Sequence, residues 1–360
     1  MKEKAAATGI YGVLHFLVDF CCAFFIFRMM QEAPALYLYF FIYNFCAFAL
    51  QMPVGLLADR FHKNSLTAIS GCILTAVVPL FYGVLQGETA VFAMDISAVV
   101  LIGLGNCLFH VGGGIEILRI GKDKLWPLGI FVSPGAAGIF FGNILGKGET
   151  VPFVLPYILL LLGAVILFLW QDKNSQAISL NRENEKEKQR ENLHKKGVIA
   201  AIICFAAVVV LRSHLGMIYS FPWKREIVGS IFCLIGVMAG KAAGGILADR
   251  FGIARTIFFS LAAAGVCFFF AENVGFGVIG IFCFNMSMPL TLHLAYKALE
   301  SRGFAFGILT FAIFIGFLPA YFGNRSCSPI LLVIYSLGSL LLLIAGYGFM
   351  KGAADEYHDA

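Results

Sequence analysis

Charge is scarce in this chain: only 13% of its 360 residues are Asp, Glu, Lys or Arg, against roughly 25% in an ordinary soluble domain. With 60% apolar residues spread along nearly the whole length, water is not the main solvent of the fold. CxxC pairs are lacking as well. Of the ten cysteines, Cys21, Cys46, Cys107, Cys204 and Cys283 lie inside apolar runs and read as small hydrophobes, so neither a metal nor a cofactor is expected. No GxxxxGK[ST] loop is present, which argues against ATP-driven pumping. Nor is there an acidic cluster for a metal-bound diphosphate, or a nucleophile with a base beside it, as a membrane-embedded transferase would need. Cleavable leaders are lacking too, since the apolar run after Lys2 and Lys4 continues to Phe27 without a small-residue cleavage site and reads as a first span.

What the chain has is spans. About 20 mainly apolar residues cross a bilayer as a helix, and such runs fall near 8–27, 36–58, 65–86, 91–113, 126–146 and 151–170, then near 198–219, 226–248, 254–271, 274–296, 304–322 and 328–349. Between the sixes lies a polar stretch, 171–196, with NRENEKEKQRENLHKK at its end. The expected fold is therefore all-α: twelve transmembrane helices, six in residues 1–170 and six in 197–360, joined by a charged linker. Lys and Arg concentrate on one side of this arrangement, at Lys2, Lys4, Arg60, Lys63, Arg119, Lys122, Lys124, the linker, Arg250, Arg255, Lys297, Arg302 and Lys351. Positive charge marks the cytoplasmic side, so both termini and the linker are expected there, in a multi-pass protein of the cytoplasmic membrane. The net charge of +5 then reports topology, not a nucleic-acid partner.

One motif occurs twice. Gly55–Phe61 reads GLLADRF and Gly245–Phe251 reads GILADRF, a spacing that suggests duplicated halves. In each copy Gly permits close approach of a neighbouring helix, and the Asp can pair with basic residues or with a helix N-terminus. The chain resembles the major facilitator superfamily, whose signature after helices 2 and 8 has this form; His62 and Asn64 depart from it in the first copy and Ile253 in the second. The resemblance implies that Gly55, Asp59, Arg60, Gly245, Asp249 and Arg250 form a gate that opens and closes during alternating access. Gly129–Gly138, GIFVSPGAAG, is similar to the helix 5 signature of the superfamily's drug/proton antiporters, with Gly129, Ser133, Pro134 and Gly138 at its key positions. Pro134 removes a backbone donor and should kink the span. Glycines at 138, 142 and 146, and again at 236, 240 and 244, form ladders suited to close helix packing. Gly103–Gly114, GLGNCLFHVGGG, resembles the helix 4 segment of fosmidomycin-resistance exporters, apart from Val111 where proline is usual.

Ionisable residues inside spans cost roughly 3 kcal/mol to insert, so each is a functional candidate. Asp19 with His15 one turn earlier, His110 and His293 are the candidates for proton coupling. Arg212 and Lys241, with Asn106, Asn285, Tyr43 and Tyr219, are the candidates for substrate binding, and Arg212 is placed to meet Asp19 across a cavity. Two cations against one carboxylate favour a small organic anion. The expectation is a monomeric secondary transporter working with protons in the lipid bilayer, most simply exporting its solute by antiport. Import by proton symport is the alternative; a transferase or a non-transporting receptor is more remote.

Overall fold

The computed structural model describes residues 2–84, 91–179, 196–299, 301–323 and 328–358. Among them the fold is entirely helical. The first six helices are α1 (Lys2–Met29), α2 (Leu36–Phe61), α3 (Asn64–Val84), α4 (Val91–Gly121), α5 (Trp126–Lys147) and α6 (Leu155–Ser179). The second six are α7 (Lys196–Ile218), α8 (Ile227–Phe251), α9 (Ile253–Phe269), α10 (Val274–Leu299), α11 (Arg302–Tyr321) and α12 (Ile330–His358). Ten of the twelve are long and apolar enough to span a bilayer, and α6 and α9 supply shorter apolar stretches, Leu155–Gln171 and Ile253–Phe269. Most of the charged linker lies outside the described residues, although α6 runs on to Ser179.

Large side chains such as Leu56, Phe81, Phe259, Val266 and Leu341 stand on the outside. In water such a surface would aggregate; against lipid tails it is the solvated face. With no hydrophobic drive between helices in lipid, contact depends on small residues, and the glycine ladders supply it. A Cβ at Gly138, Gly142 or Gly146 would run into the α1 backbone at Phe16, Phe20 or Phe24. Gly236, Gly240 and Gly244 meet α10 in the same way, at Val278, Phe282 and Met286.

Three spans are irregular near their middles. A π-helical turn, Phe45–Ala49, interrupts α2, α5 breaks at Ser133–Pro134 where proline offers no donor, and α10 breaks at Met286. Such irregularity survives at membrane depth only where protein or a cavity shields it. The α2 and α5 breaks flank the polar centre of the molecule.

Candidate functional site

The polar centre is assembled mainly from α1, α4 and α5. Asp19 and His15, four residues apart, share a face of α1, and His110 and Asn106 do the same on α4. All four are nearly buried. His15 Nε2 lies 3.3 Å from Asp19 Oδ2, and His110 Nε2 lies 3.7 Å from Asp19 Oδ1. Asn106 Nδ2 donates to Asp19 Oδ1 at 2.9 Å. The two imidazoles meet edge-on, Nε2 to Nε2, at 2.9 Å.

Backbone carbonyls orient both rings. The first stretch of α5 ends at Val132, so its last carbonyls need partners from outside the helix, and Phe131 O faces His15 Nδ1 at 2.7 Å. His110 Nδ1 reaches Asn106 O at 2.9 Å. Gly135, just past the α5 break, makes room for the group: a Cβ there would stand 2.3 Å from His15 Nε2 and 2.5 Å from Asp19 Oδ2. Tyr43 lies beside Cys22, within electrostatic reach of Asp19.

The second half contributes cations. Arg212 on α7 and Lys241 on α8 are half-buried, and among the described residues neither forms an ion pair. Arg212 Nη1 is buried without a hydrogen-bond partner. Arg212 and Asp19 both act electrostatically on Lys241, and Lys241 acts on His110, so the cations and the Asp19 group share one interior. The direct Asp19–Arg212 pair expected from the sequence does not form, because the Asp19 carboxylate is already taken by α1 and α4. Such a site can hold a solvent-shielded anion between guanidinium and ammonium, with a proton-binding group opposite.

Other expected residues lie elsewhere. His293 is buried on α10 beside Tyr296 and feels Lys297, Asp249 and Asp123; it lies near the second motif and does not join Asp19. Asn285 Nδ2 turns back to Ile281 O of its own helix at 2.9 Å. Tyr219 packs edge-on against Phe221 beyond the end of α7. Ser133 Oγ donates to Met238 O across to α8 at 2.8 Å, and Gly129 lies against the Lys241 and Ala242 carbonyls, so the α5 motif ties the halves together.

Both repeated motifs act on helix N-termini of the opposite half. Asp59 accepts from Gly303 N at 2.8 Å, from Phe304 N at 2.9 Å and from Ser301 Oγ, at the start of α11. Asp249 accepts from Leu125 N at 2.9 Å and Trp126 N at 3.0 Å, at the start of α5. A carboxylate on unpaired N–H groups is favoured by the helix dipole as well as by hydrogen bonding. Neither Asp forms an ion pair with Arg60 or Arg250 among the described residues. Gly55 faces Gly303 and Gly245 faces Leu125 so closely that a Cβ on either would strike backbone. On the motif face the halves are closed, with Lys297 Nζ adding a 2.6 Å bridge to Asp123.

Sequence reasoning missed three features. The union of His110 with Asp19 spans helices far apart in the chain, and Gly135 looks like any other helix glycine. Asp95, buried on α4, accepts from Tyr39 Oη at 2.8 Å and from Tyr82 Oη; an acid inside a predicted span was the signal for it. His15, Asp19 and His110 also offer three ligand atoms within 4.8 Å of one another, the donor types that a transition metal takes, which spacing in the sequence could not reveal.

Comparison with known proteins agrees with this fold. The solved Escherichia coli fucose:proton symporter FucP, in a single-residue variant, superimposes with a TM-score of 0.66 at 14% identity, covering 96% of this chain and 99% of that one. FucP in an outward conformation gives 0.65 at 14% identity, with the same coverage. A bacterial homologue of the iron transporter ferroportin, in an outward-facing state, gives 0.57 at 13% identity, covering 97% of this chain and 99% of that one. No curated protein sequence matches the chain. The family model described as Major Facilitator Superfamily matches residues 8–321. Twelve helices among the described residues, the repeated motif and that match lead to one conclusion: the chain belongs to the Major Facilitator Superfamily and is a membrane transporter of a small molecule, not an enzyme.

Proposed function

We propose that the protein is a proton-coupled secondary transporter of a small organic anion, of the carboxylate or phosphonate class, in the cytoplasmic membrane with both termini inside. The observation that carries this reading is the Arg212 guanidinium, whose buried Nη1 has no hydrogen-bond partner among the described residues, with Lys241 in its electrostatic reach and Asp19 already occupied by its own neighbours. A buried cation without a counter-charge is costly, and an anionic solute supplies one.

Electrostatics then couple the two ligands. A proton on the Asp19 group adds positive charge near Arg212 and Lys241 and strengthens anion binding; by reciprocity, the anion strengthens proton binding. Ligands that favour each other travel together, so this geometry favours symport. The second reading, export by antiport, draws on the similarity of the Gly129–Gly138 stretch to the antiporter signature and requires proton and solute to exclude each other.

Proteoliposomes with an imposed pH gradient test the reading, using a panel of radiolabelled carboxylates and phosphonates. The expected result is accumulation of one anion in the direction of proton flow, lost in Arg212→Ala while that variant still inserts and folds. The lost hydrogen bonds to a charged group are worth about 1.5–3 kcal/mol, or roughly 10- to 150-fold in affinity. Movement against the proton flow would assign antiport. Unchanged transport by Arg212→Ala would remove the anion reading.

A further inference from the structure

We propose that His15 and His110 hold one proton between their Nε2 atoms, and that Asp19 is the fixed counter-charge of this proton instead of its carrier. The inference deepens the proton-coupled reading above and rests on it for its meaning in transport. The geometry that carries it stands independently.

A carbonyl oxygen can only accept a hydrogen bond, so the 2.7 Å contact to Phe131 O requires a proton on His15 Nδ1. The 2.9 Å contact to Asn106 O requires one on His110 Nδ1 in the same way. Both rings have therefore committed their Nδ1 protons, and in the neutral state each Nε2 is a bare lone pair. Those two lone pairs face each other at 2.9 Å, with the Asp19 carboxylate 3.3 Å from one and 3.7 Å from the other. With no further proton, three acceptors converge on one buried point and repel. With two further protons, a pair of N–H groups collides head-on at that separation. A single added proton satisfies the arrangement: one imidazolium donates to its neighbour's Nε2, and the positive pair is balanced by Asp19. The group then carries no net charge, which suits its burial.

The surroundings agree. Asn106 Nδ2 donates to Asp19 Oδ1, so that oxygen acts as an acceptor. The other charged groups that reach the cluster are Lys241 on α8 and, through Lys241, Arg212 on α7; Tyr43 on α2 and Cys22 on α1 complete its titratable neighbours. Gly135 on α5 contributes no side chain where the rings and carboxylate meet. A metal ion fits less well than a proton. Two nitrogens bonded to a tetrahedral zinc at about 2.0–2.1 Å stand roughly 3.3 Å apart, wider than the separation found here.

In transport, one proton enters from the open side and binds the lone pair of one ring. It leaves to water on the other side when the rings part, so the pair sets a stoichiometry of one proton per cycle. Neither ring is consumed.

The test is magic-angle-spinning NMR of the full chain in lipid bilayers, with its seven histidines labelled with nitrogen-15. One pair of Nε2 signals should show scalar coupling across an N–H···N hydrogen bond. That coupling should vanish in His15→Gln and in His110→Gln and persist in His214→Gln. The wild-type spectrum carries the test, so a variant that fails to fold does not remove it. A proton count adds a second readout: wild type should hold one proton more than the His15→Gln/His110→Gln variant at the pH at which the coupling is recorded. Two uncoupled Nε2 signals, a difference of two protons, or bound zinc whose chelation shifts both Nε2 signals would each overturn the proposal. Absence of coupling with anion accumulation intact removes only this inference. Coupling without any anion flux removes only the proposed substrate class.

Discussion

The two halves of this transporter carry the same Asp-on-N-terminus contact but opposite interiors. In the first half Asp19, His15, His110 and Asn106 are linked by contacts shorter than 4 Å. In the second half Arg212 and Lys241 stand without ion pairs among the described residues. Both halves keep the helical frame and the Asp-on-N-terminus contact, while their interior side chains differ: in the proposed reading one half holds a proton and the other takes an anion. A pseudo-symmetric fold thus has an asymmetric interior, which on the proposed reading would separate proton from solute.

The contrast can be broken most severely at Asp19. Asp19→Asn removes the counter-charge of a buried group, an uncompensated loss of about 3–5 kcal/mol. Accumulation driven by a pH gradient in proteoliposomes should fall by about 100-fold or more, while the Asp59 and Asp249 gate stays intact by cysteine-accessibility labelling. Retained accumulation would make the Asp19 group structural.

Gly135→Ala is the subtler break. Its Cβ would enter the space held by His15 Nε2 and Asp19 Oδ2, and overpacking of this kind costs roughly 1–3 kcal/mol. Weaker coupling and a lower melting temperature are expected, whereas Gly9→Ala, with nothing within 4 Å, should change neither.

How much of this was legible beforehand differs between frame and site. The spans, the repeat, the glycine ladders and the Asp19–His15 face could be read because each depends on local periodicity or on two copies of one string. The meeting of His110 with Asp19, and the failure of Arg212 to reach it, depend on rotation of one helix about its axis relative to another. Helices with lipid on one side and apolar packing on the other carry little periodic signal for that rotation. Gly135 was hidden for the same reason, since its importance lies in what stands opposite. His293 shows the hazard of relying on the repeat: matching depth in a related helix placed it at the gate, beside Asp249 and Lys297, and not at the centre.

The gate offers a test of what the halves still share. Asp59→Asn and Asp249→Asn each remove a charged cap on the opposite half's helix, worth about 0.5–2 kcal/mol. Each should raise labelling of cysteines introduced on the motif face, by similar amounts if the two caps are equivalent. A large effect from one alone would show that the gate has diverged as the interior has.

The smallest effect belongs to Lys297 and Asp123, an exposed bridge between the halves. The Lys297 ammonium beside Asp123 holds its carboxyl below the usual value. Its contribution is therefore present at neutral pH and lost as acid protonates Asp123 through that lowered value. Salt screening limits an exposed pair to about 0.2–1 kcal/mol. Lys297→Gln should change gate closure slightly at low ionic strength and hardly at all at high salt.

The central claim, that a proton site in one half and an anion site in the other favour each other, is tested most directly by proton uptake. Purified protein in weak buffer with a pH-indicator dye is mixed with the anion identified by flux. The account predicts that anion binding draws protons from solution, up to one per protein, and that His110→Gln abolishes the uptake. Proton release on binding, or no change with the anion fully bound, would contradict it.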